Sequence, residues 1–358
     1  MKSFCLDLKN KELWNQYWSR LSENRRDIYF SPDYYEIYEK KGDGIAKCFV
    51  FEKGDDFLLY PFLLNDIARY GYVDADLTYY DIEGVYGYNG AVATTNDITF
   101  LTNFQNQFLE FCQALHIIAE FTRFNPIYEN QALFGYLNVV QKNKNVVVDL
   151  GLSHEKIWSK SYDCSVRKSI NKAKRHNLQT IILSGLEIEG TQYLSQFIDI
   201  FHATLDRNAA TPSSYFDDAF IKSLICRLGA RVLFCFTLLE GRSVSTELVL
   251  LSSQVGYSFL GGTLEEAFEF RPNHHLKNTL ILRLKEMGCH FYCIGGGKNM
   301  DDGIFRYKNT FAVNGVRPFY IGIKIHNEKI YHDVCRRWSL ENPEKNAAYH
   351  DAFFKYKF

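Results

Sequence analysis

The sequence predicts an α+β fold of two successive, similarly built units, each a mixed sheet flanked by helices. Three observations carry that expectation. The chain has 358 residues, more than one ordinary domain and suited to two. Strand-like and helix-like segments recur in the same order in both halves: strands, then a helix, then a strand. No low-complexity linker separates the halves, and the boundary falls near 151, where a strand runs into Gly151. The expected organisation is therefore 1–150, 151–340 and a C-terminal tail at 341–358.

In the first half, Leu13, Trp14, Tyr17 and Leu21 fall at helical spacing. Ser31-Pro32-Asp33 reads as an N-cap with proline in the first turn. Ile45–Glu52 and Phe57–Leu63 read as strands joined by the turn Lys53-Gly54-Asp55-Asp56, with a weaker strand near Tyr70–Val73. Tyr79–Gly90 is rich in Gly and Tyr without a period and reads as a loop. Asn96 or Asp97 caps a helix to about His116, and Ile117–Phe121 and Val146–Leu150 read as strands. In the second half, a basic helix is expected over His154–His176, a strand over Gln179–Leu183, and helices over Leu186–Asn208 and Phe216–Leu228. Val232–Leu239, Ser243–Leu251 and Val255–Leu260 read as strands, the first two a hairpin around Glu240-Gly241-Arg242. A helix at about Asn273–Met287 carries Leu276, Leu280 and Leu284 on one face. A strand at Cys289–Ile294 ends in Gly295-Gly296-Gly297, and Arg317–Ile325 is the last strand.

Composition bounds the function. Apolar residues at 46% and charged residues at 23% argue against disorder. A net charge of −1, from 41 Lys+Arg and 42 Asp+Glu, argues against a coat for nucleic acid and leaves no expectation of DNA binding. No signal peptide or membrane-spanning run is visible, so the expected location is cytoplasmic, with a peripheral visit to the inner membrane face left open. The nine Cys are odd in number and mostly sit in apolar stretches, reading as reduced, buried thiols. Cys289 and Cys293, with His274, His275 and His290 near in sequence, invite a zinc reading. Alternation along a strand puts both thiols on one face instead, and no metal is expected.

Several segments carry a family resemblance: Arg167-Lys168-Ser169-Ile170-Asn171-Lys172-Ala173, the block ending Tyr257-Ser258-Phe259-Leu260-Gly261-Gly262, Arg271-Pro272-Asn273-His274-His275-Leu276, and Ile294-Gly295-Gly296-Gly297 followed by Gly303–Phe311. In this order and spacing, and with the Tyr86-Gly87-Tyr88 loop, the chain resembles the tandem acetyltransferase-fold (GNAT-like) family that contains the Fem-type peptidoglycan-bridge aminoacyltransferases. The resemblance spans roughly 10–330. It implies an acyltransferase that moves an aminoacyl or acyl group onto an amine of a cell-wall or surface-polysaccharide precursor. The donor it implies is aminoacyl-tRNA, with acyl-CoA and an amino-sugar acceptor as the alternative, and no further cofactor. The acceptor would be nucleotide- or lipid-linked. A binding protein that kept the fold without catalysis is the reading from another class.

The candidate residues follow. Lys308, with Tyr307 before it, stands where the family has an aromatic–Lys pair that serves the aminoacyl-tRNA end. An ammonium there can stabilise the oxyanion formed when an amine attacks an ester. Glu247 is a carboxylate inside an apolar strand and needs a partner or a task, such as accepting the amine's proton. The Arg271–Leu276 segment, including Asn273 as a helix cap and His275, stands where acetyl-CoA enzymes of this fold cradle a diphosphate on glycines. Here those glycine positions are His274 and Leu276, which favours an ester donor. Gly296 lies in a turn whose N–H groups could face a ligand. Arg207 is expected to meet an acceptor phosphate, and Tyr86 and Tyr88 to stack on its base or sugar. Arg167, Lys168 and Lys172 form a basic face for tRNA or phosphate.

Overall fold

The computed structural model describes residues 1–74, 78–211 and 214–358. In chain order, β1 (Lys2–Asp7) leads to α1 (Lys11–Arg20) and α2 (Pro32–Lys41), which Ser31 caps through the Tyr34 N–H at 3.3 Å. β2 (Ile45–Lys53), β3 (Asp56–Asp66), β4 (Tyr80–Glu83) and β5 (Val92–Ala93) follow, then α3 (Ile98–Ala114) and β6 (Ile117–Arg123). β7 (Asn138–Asp149) comes before α4 (Cys164–Arg175), β8 (Gln179–Ser184), α5 (Gln192–Arg207) and α6 (Asp218–Leu228). Next come β9 (Val232–Leu239), β10 (Arg242–Leu251), β11 (Val255–Thr263), α7 (Pro272–Glu286), β12 (Phe291–Gly295) and α8 (Gly303–Asn309). β13 (Val316–Ile325) and α9 (Glu328–Glu341) follow these.

Two units result: 1–25, 29–142 and 319–358 form the first, and 26–28 with 143–318 the second. These bounds differ from the expected 1–150, 151–340 and C-terminal tail at 341–358. Val334 and Trp338 of α9 and Phe354 and Tyr356 beyond it are buried against Ile67, Ile118 and Ala119, so the C-terminal stretch belongs to the first unit's core. In the first unit the strand order is β1-β2-β3-β4-β6-β13, and in the second it is β8-β9-β10-β11-β12-β7. Each sheet is antiparallel except for one parallel pair, β4 with β6 and β11 with β12, whose crossovers carry α3 and α7. The two units thus have one topology. Each takes its sixth strand from the segment that follows the fifth strand of the other.

The aromatic residues build the first core. Phe100, Phe104 and Phe108 recur every fourth residue on α3 and meet Phe49, Phe51 and Tyr60 of β2 and β3; the Phe51–Phe100 rings lie 4.9 Å apart. In the second core Leu276, Leu280, Ile281 and Leu284 of α7 pack on Val249, Tyr292 and Ile294. Cys289 and Cys293 are buried thiols.

Several local expectations change. The weak strand near Tyr70–Val73 is replaced by a 3-10 turn at Ile67–Tyr70, while Tyr80–Glu83, read as loop, is a strand. The basic helix over His154–His176 breaks at Tyr162–Asp163, because Asp163 turns outward to cap the Ser165 N–H at 2.8 Å. The helix over Leu186–Asn208 breaks at Gly190, whose φ of 76° no helix adopts. Among the described residues no helix is long and apolar enough to cross a membrane.

Candidate active site

The site in the second unit begins with two strands that part. β11 and β12 pair in parallel only at Val255–Phe291, Gly256–Tyr292 and Tyr257–Cys293. Past that point β11 continues to Thr263 while β12 ends at Gly295, which turns with φ 80°. The carboxyl ends of parting strands leave a crevice that an open sheet cannot fill itself. Here it is a cavity of about 610 Å³ lined by β10, β11, α7 and α8. A bulge aids the opening: Leu248 pairs with Leu260 but Val249 with Ser258, so Phe259 is extra on β11 and the strand bends along the cavity wall.

The cavity floor is ionic. Glu247 and Lys277 are 2% and 5% exposed, and their charged groups lie 2.7 Å apart. Tyr292 O–H donates to the same carboxylate, and Lys277 Nζ also donates to Tyr292 Oη at 3.1 Å and Ser258 Oγ at 3.2 Å. A buried charge pair is tolerated only when its remaining bonding capacity is met, as it is here. Glu247, expected as a proton acceptor, therefore sits at the cavity but already receives hydrogen bonds from two donors.

Lys308 forms another wall. Asp302 accepts from the Phe305 N–H at 2.8 Å and so starts α8, and it also accepts from the N–H groups of Lys298 at 2.7 Å and Asn299 at 2.9 Å. On that helix Lys308 Nζ reaches the Gly296 carbonyl at 2.7 Å. Burial, and then the neighbouring Lys277 ammonium, pull its pKa from the ordinary 10.5 down to about 8. The Gly295–Gly297 turn thus offers the Gly296 carbonyl to Lys308. Its glycines are required by packing: a Cβ on Gly296 would meet the Lys144 carbonyl at 2.4 Å, and one on Gly297 the Asp302 carboxylate at 2.1 Å.

The start of α7 closes the third side. Tyr307 O–H donates to Asn273 Oδ1, and Asn273 Nδ2 faces Ser245 Oγ and Thr263 Oγ1, each at 3.4 Å. Asn273 thus spans the cavity instead of capping the helix. Arg271 takes a left-handed φ of 62° ahead of Pro272, and its carbonyl accepts the N–H groups of His274 at 3.2 Å and His275 at 3.3 Å. His274 lies edge-on to Tyr307, with ring centres 5.3 Å apart. Burial and then Arg271 pull its pKa down to about 4, so it is neutral at pH 7. Leu276 is wholly buried. The helix start that would cradle a diphosphate is thus occupied by side chains and by its own backbone bonding.

Arg271 lines the cavity, as does Arg207, whose guanidinium donates to the Thr263 carbonyl at 2.9 Å and lies 4.8 Å over the Phe268 ring. The other expected residues stand elsewhere. His275 faces away from the cavity and meets Thr180 Oγ1 at 2.8 Å. Arg167 donates to the carbonyls of Tyr162 at 2.6 Å and Trp158 at 3.2 Å and so braces the helix break there. Lys168 is exposed and Lys172 half-buried, and neither lines the cavity. Tyr86 and Tyr88 belong to the first unit, where Tyr86 is 51% exposed and Tyr88 packs on Tyr29 at 5.4 Å. Sequence reasoning missed Lys277, Tyr292, Ser258 and Asp302. Lys277 left one signal: it is a charge between the core positions Leu276 and Leu280.

Comparison with known proteins bears on the fold. Residues 165–309 match the family model of the acetyltransferase (GNAT) domain. No curated protein sequence matches the chain. The crystal structure of FemX superposes with a TM-score of 0.68 at 13% identity, covering 93% of this chain and 99% of that one. The C-terminal domain of a putative lysylphosphatidylglycerol synthetase from Agrobacterium fabrum gives 0.54 at 12% identity, covering 93% and 96%. A tandem GNAT protein from the clavulanic acid biosynthesis pathway gives 0.51 at 7% identity, covering 91% and 98%. The fold is the tandem GNAT fold shared with FemX, and the match to the GNAT acetyltransferase domain lies in its second unit.

Proposed function

We propose that the protein transfers an aminoacyl group from a charged tRNA to an amine of a cell-wall or surface-polysaccharide precursor. One observation carries the reading: the Lys308 ammonium stands at a cavity whose helix start carries His274 and Leu276 side chains and bonds its own N–H groups to the Arg271 carbonyl. That arrangement suits an ester donor better than a coenzyme A thioester. The tandem fold shared with FemX, and with the domain of a putative lysylphosphatidylglycerol synthetase, supports an aminoacyl donor and an envelope setting.

In this reading the acceptor's neutral amine attacks the ester carbonyl. A C–N bond forms, and the carbonyl oxygen gains a negative charge that the Lys308 ammonium stabilises. The C–O bond to the ribose then breaks, and the departing oxygen leaves as a hydroxyl with the proton lost by the amine. Glu247 holds Lys277 in place, and the pair fixes the charge around Lys308. Tyr307 and Asn273 present polar groups to the donor, and Arg207 and Arg271 supply the cationic lining for phosphate.

The test is transfer of a labelled amino acid from charged total tRNA to amine-bearing nucleotide- or lipid-linked precursors. Label should enter the acceptor, and ribonuclease or Lys308→Met should abolish it. The match to an acetyltransferase domain favours a second reading, acyl-CoA-dependent N-acylation of an amino sugar. Thiol release from acetyl-CoA without tRNA-dependent transfer would establish that reading and overturn the first.

A further inference from the structure

In the first unit, β6 and β13 pair antiparallel with Phe121 opposite Ile323 and Arg123 opposite Ile321. Side chains alternate along a strand, so Phe319, Ile321 and Ile323 share one face with Phe121. An antiparallel face turned to water normally carries polar residues. Here these four apolar side chains are only half-buried. Tyr331 of α9 and Phe353 of the C-terminal stretch wall them into a groove of about 650 Å³, within the range of roughly 300–1,000 Å³ typical of ligand sites. An apolar surface held open in a walled groove calls for an occupant.

The groove's charged lining is mostly cationic. Arg123, Lys142 and Lys355 lie along it. His332 is paired with Glu328 at 2.8 Å, and the lining carboxylate Asp351 is paired with His350 at 3.1 Å. At one end Phe319 meets Tyr88, with ring centres 5.9 Å apart. A sugar or nucleotide alone would leave the apolar floor uncovered. A neutral lipid would leave three cations without counter-charge.

We infer that this groove binds a phosphate-headed lipid chain, with the hydrocarbon on the Phe121–Ile321–Ile323 floor and the phosphate at Arg123, Lys142 and Lys355. The site lies wholly in the first unit, and its occupancy is independent of any transfer reaction.

Calorimetric titration of the full chain with octyl, decyl and dodecyl phosphate below their micelle concentrations tests it, with inorganic phosphate and dodecyl maltoside as the other probes. Affinity should rise with chain length, by up to about four-fold per methylene where burial is complete. Dodecyl phosphate should bind at least about ten-fold tighter than dodecyl maltoside, as expected for a charge-assisted headgroup contact. Reversing the cationic lining with Lys142→Glu and Lys355→Glu should weaken dodecyl phosphate by a similar factor, and Ile321→Ser should flatten the chain-length series. Far-UV circular dichroism and urea midpoints check that the variants are folded, and the Lys142→Glu change, at an exposed position, keeps the test valid if Ile321→Ser does not fold. The inference is overturned if inorganic phosphate binds as tightly as dodecyl phosphate, if the maltoside binds equally well, or if charge reversal in a folded variant changes nothing.

Discussion

Lys308→Met separates catalysis from stability, and both effects can be worked out. In the proposed mechanism the ammonium is the group offered to the oxyanion, and removing one such donor costs on the order of 10²–10³ in rate, about 2.7–4 kcal/mol. Stability should move the other way. Burial and Lys277 lower the Lys308 pKa from 10.5 to about 8, which corresponds to roughly 3 kcal/mol against the charged form. A lysine whose folded-state pKa lies below its unfolded one favours unfolding wherever it is charged. That penalty is complete below about pH 8 and fades as pH rises toward 10.5. Methionine removes the penalty and forfeits about 1 kcal/mol for the hydrogen bond to Gly296. The variant should therefore be roughly 2 kcal/mol more stable at pH 7, and the gain should disappear near pH 10.5. Wild-type transfer should be flat up to about pH 7 and fall tenfold per unit above pH 8. Urea unfolding at both pH values and the tRNA-dependent transfer assay read the two effects. A variant that keeps half of the wild-type transfer rate, or one that is less stable than wild type at pH 7, refutes the reasoning.

Three further outcomes follow from buried groups. Lys277→Met leaves the Glu247 carboxylate without its cation and should cost about 3–5 kcal/mol in urea unfolding, whereas Glu247→Leu combined with Lys277→Met should recover most of that loss. Burial holds the Asp81 carboxyl up at about 6, with Lys357 2.7 Å away; a raised carboxyl favours the folded state at low pH, and this support declines as pH rises from about 4 to 6. Lys357→Met should therefore cost about 3–5 kcal/mol at pH 7.5 and clearly less at pH 5, where Asp81 is protonated. Gly262→Ala would bring a Cβ within 2.3 Å of Thr204 Oγ1 and 2.6 Å of the Ile200 carbonyl, and the forced shift should cost about 1–3 kcal/mol while narrowing the cavity, read as a raised KM for the donor.

The sequence carried the elements whose signal is local. The β9–β10 hairpin, the α7 stripe and the Ser31 helix start are written in turn residues, periodicity and caps and stand as read, and of the two caps open for α3, Asn96 and Asp97, it is Asp97 that accepts from Phe100. Long-range partners left little trace. β4 is only four residues long, and its parallel partner β6 begins more than thirty residues later, so its Gly- and Tyr-rich surroundings looked like a loop. Lys357 inserts between Asp81 and Glu83 from the far end of the chain, and nothing in a terminal Lys-Tyr-Lys-Phe marks it as buried. In the site, Glu247 was legible because a charge inside an apolar strand needs a reason. Its partner was not, since a lysine on an amphipathic helix ordinarily points to water. His275 shows the same limit: adjacent helical residues point about 100° apart, so His274 reaches the cavity and His275 turns to Thr180.

Two units of one topology do not give two sites. In the second unit the parallel pair is engaged at three positions and then parts, and the cavity occupies the gap. In the first unit β4 stays paired with β6 along its whole length, from Tyr80 to Glu83. The polar groups that β4 exposes are taken by the chain's own end: Lys357 reaches Asp81 at 2.7 Å and Glu83 at 2.6 Å, and Tyr356 O–H donates to Asp81 at 2.9 Å. A crevice sealed by a buried ion pair and a paired strand cannot admit a donor without breaking both. The chain should therefore hold one transfer centre. Titration with a non-transferable donor, such as an amide-linked aminoacyl-adenosine, should saturate at one equivalent per chain. Lys308→Met should remove all of the transfer rather than half, and two equivalents, or half of the activity left in a folded variant, would show that the first unit retains a working site.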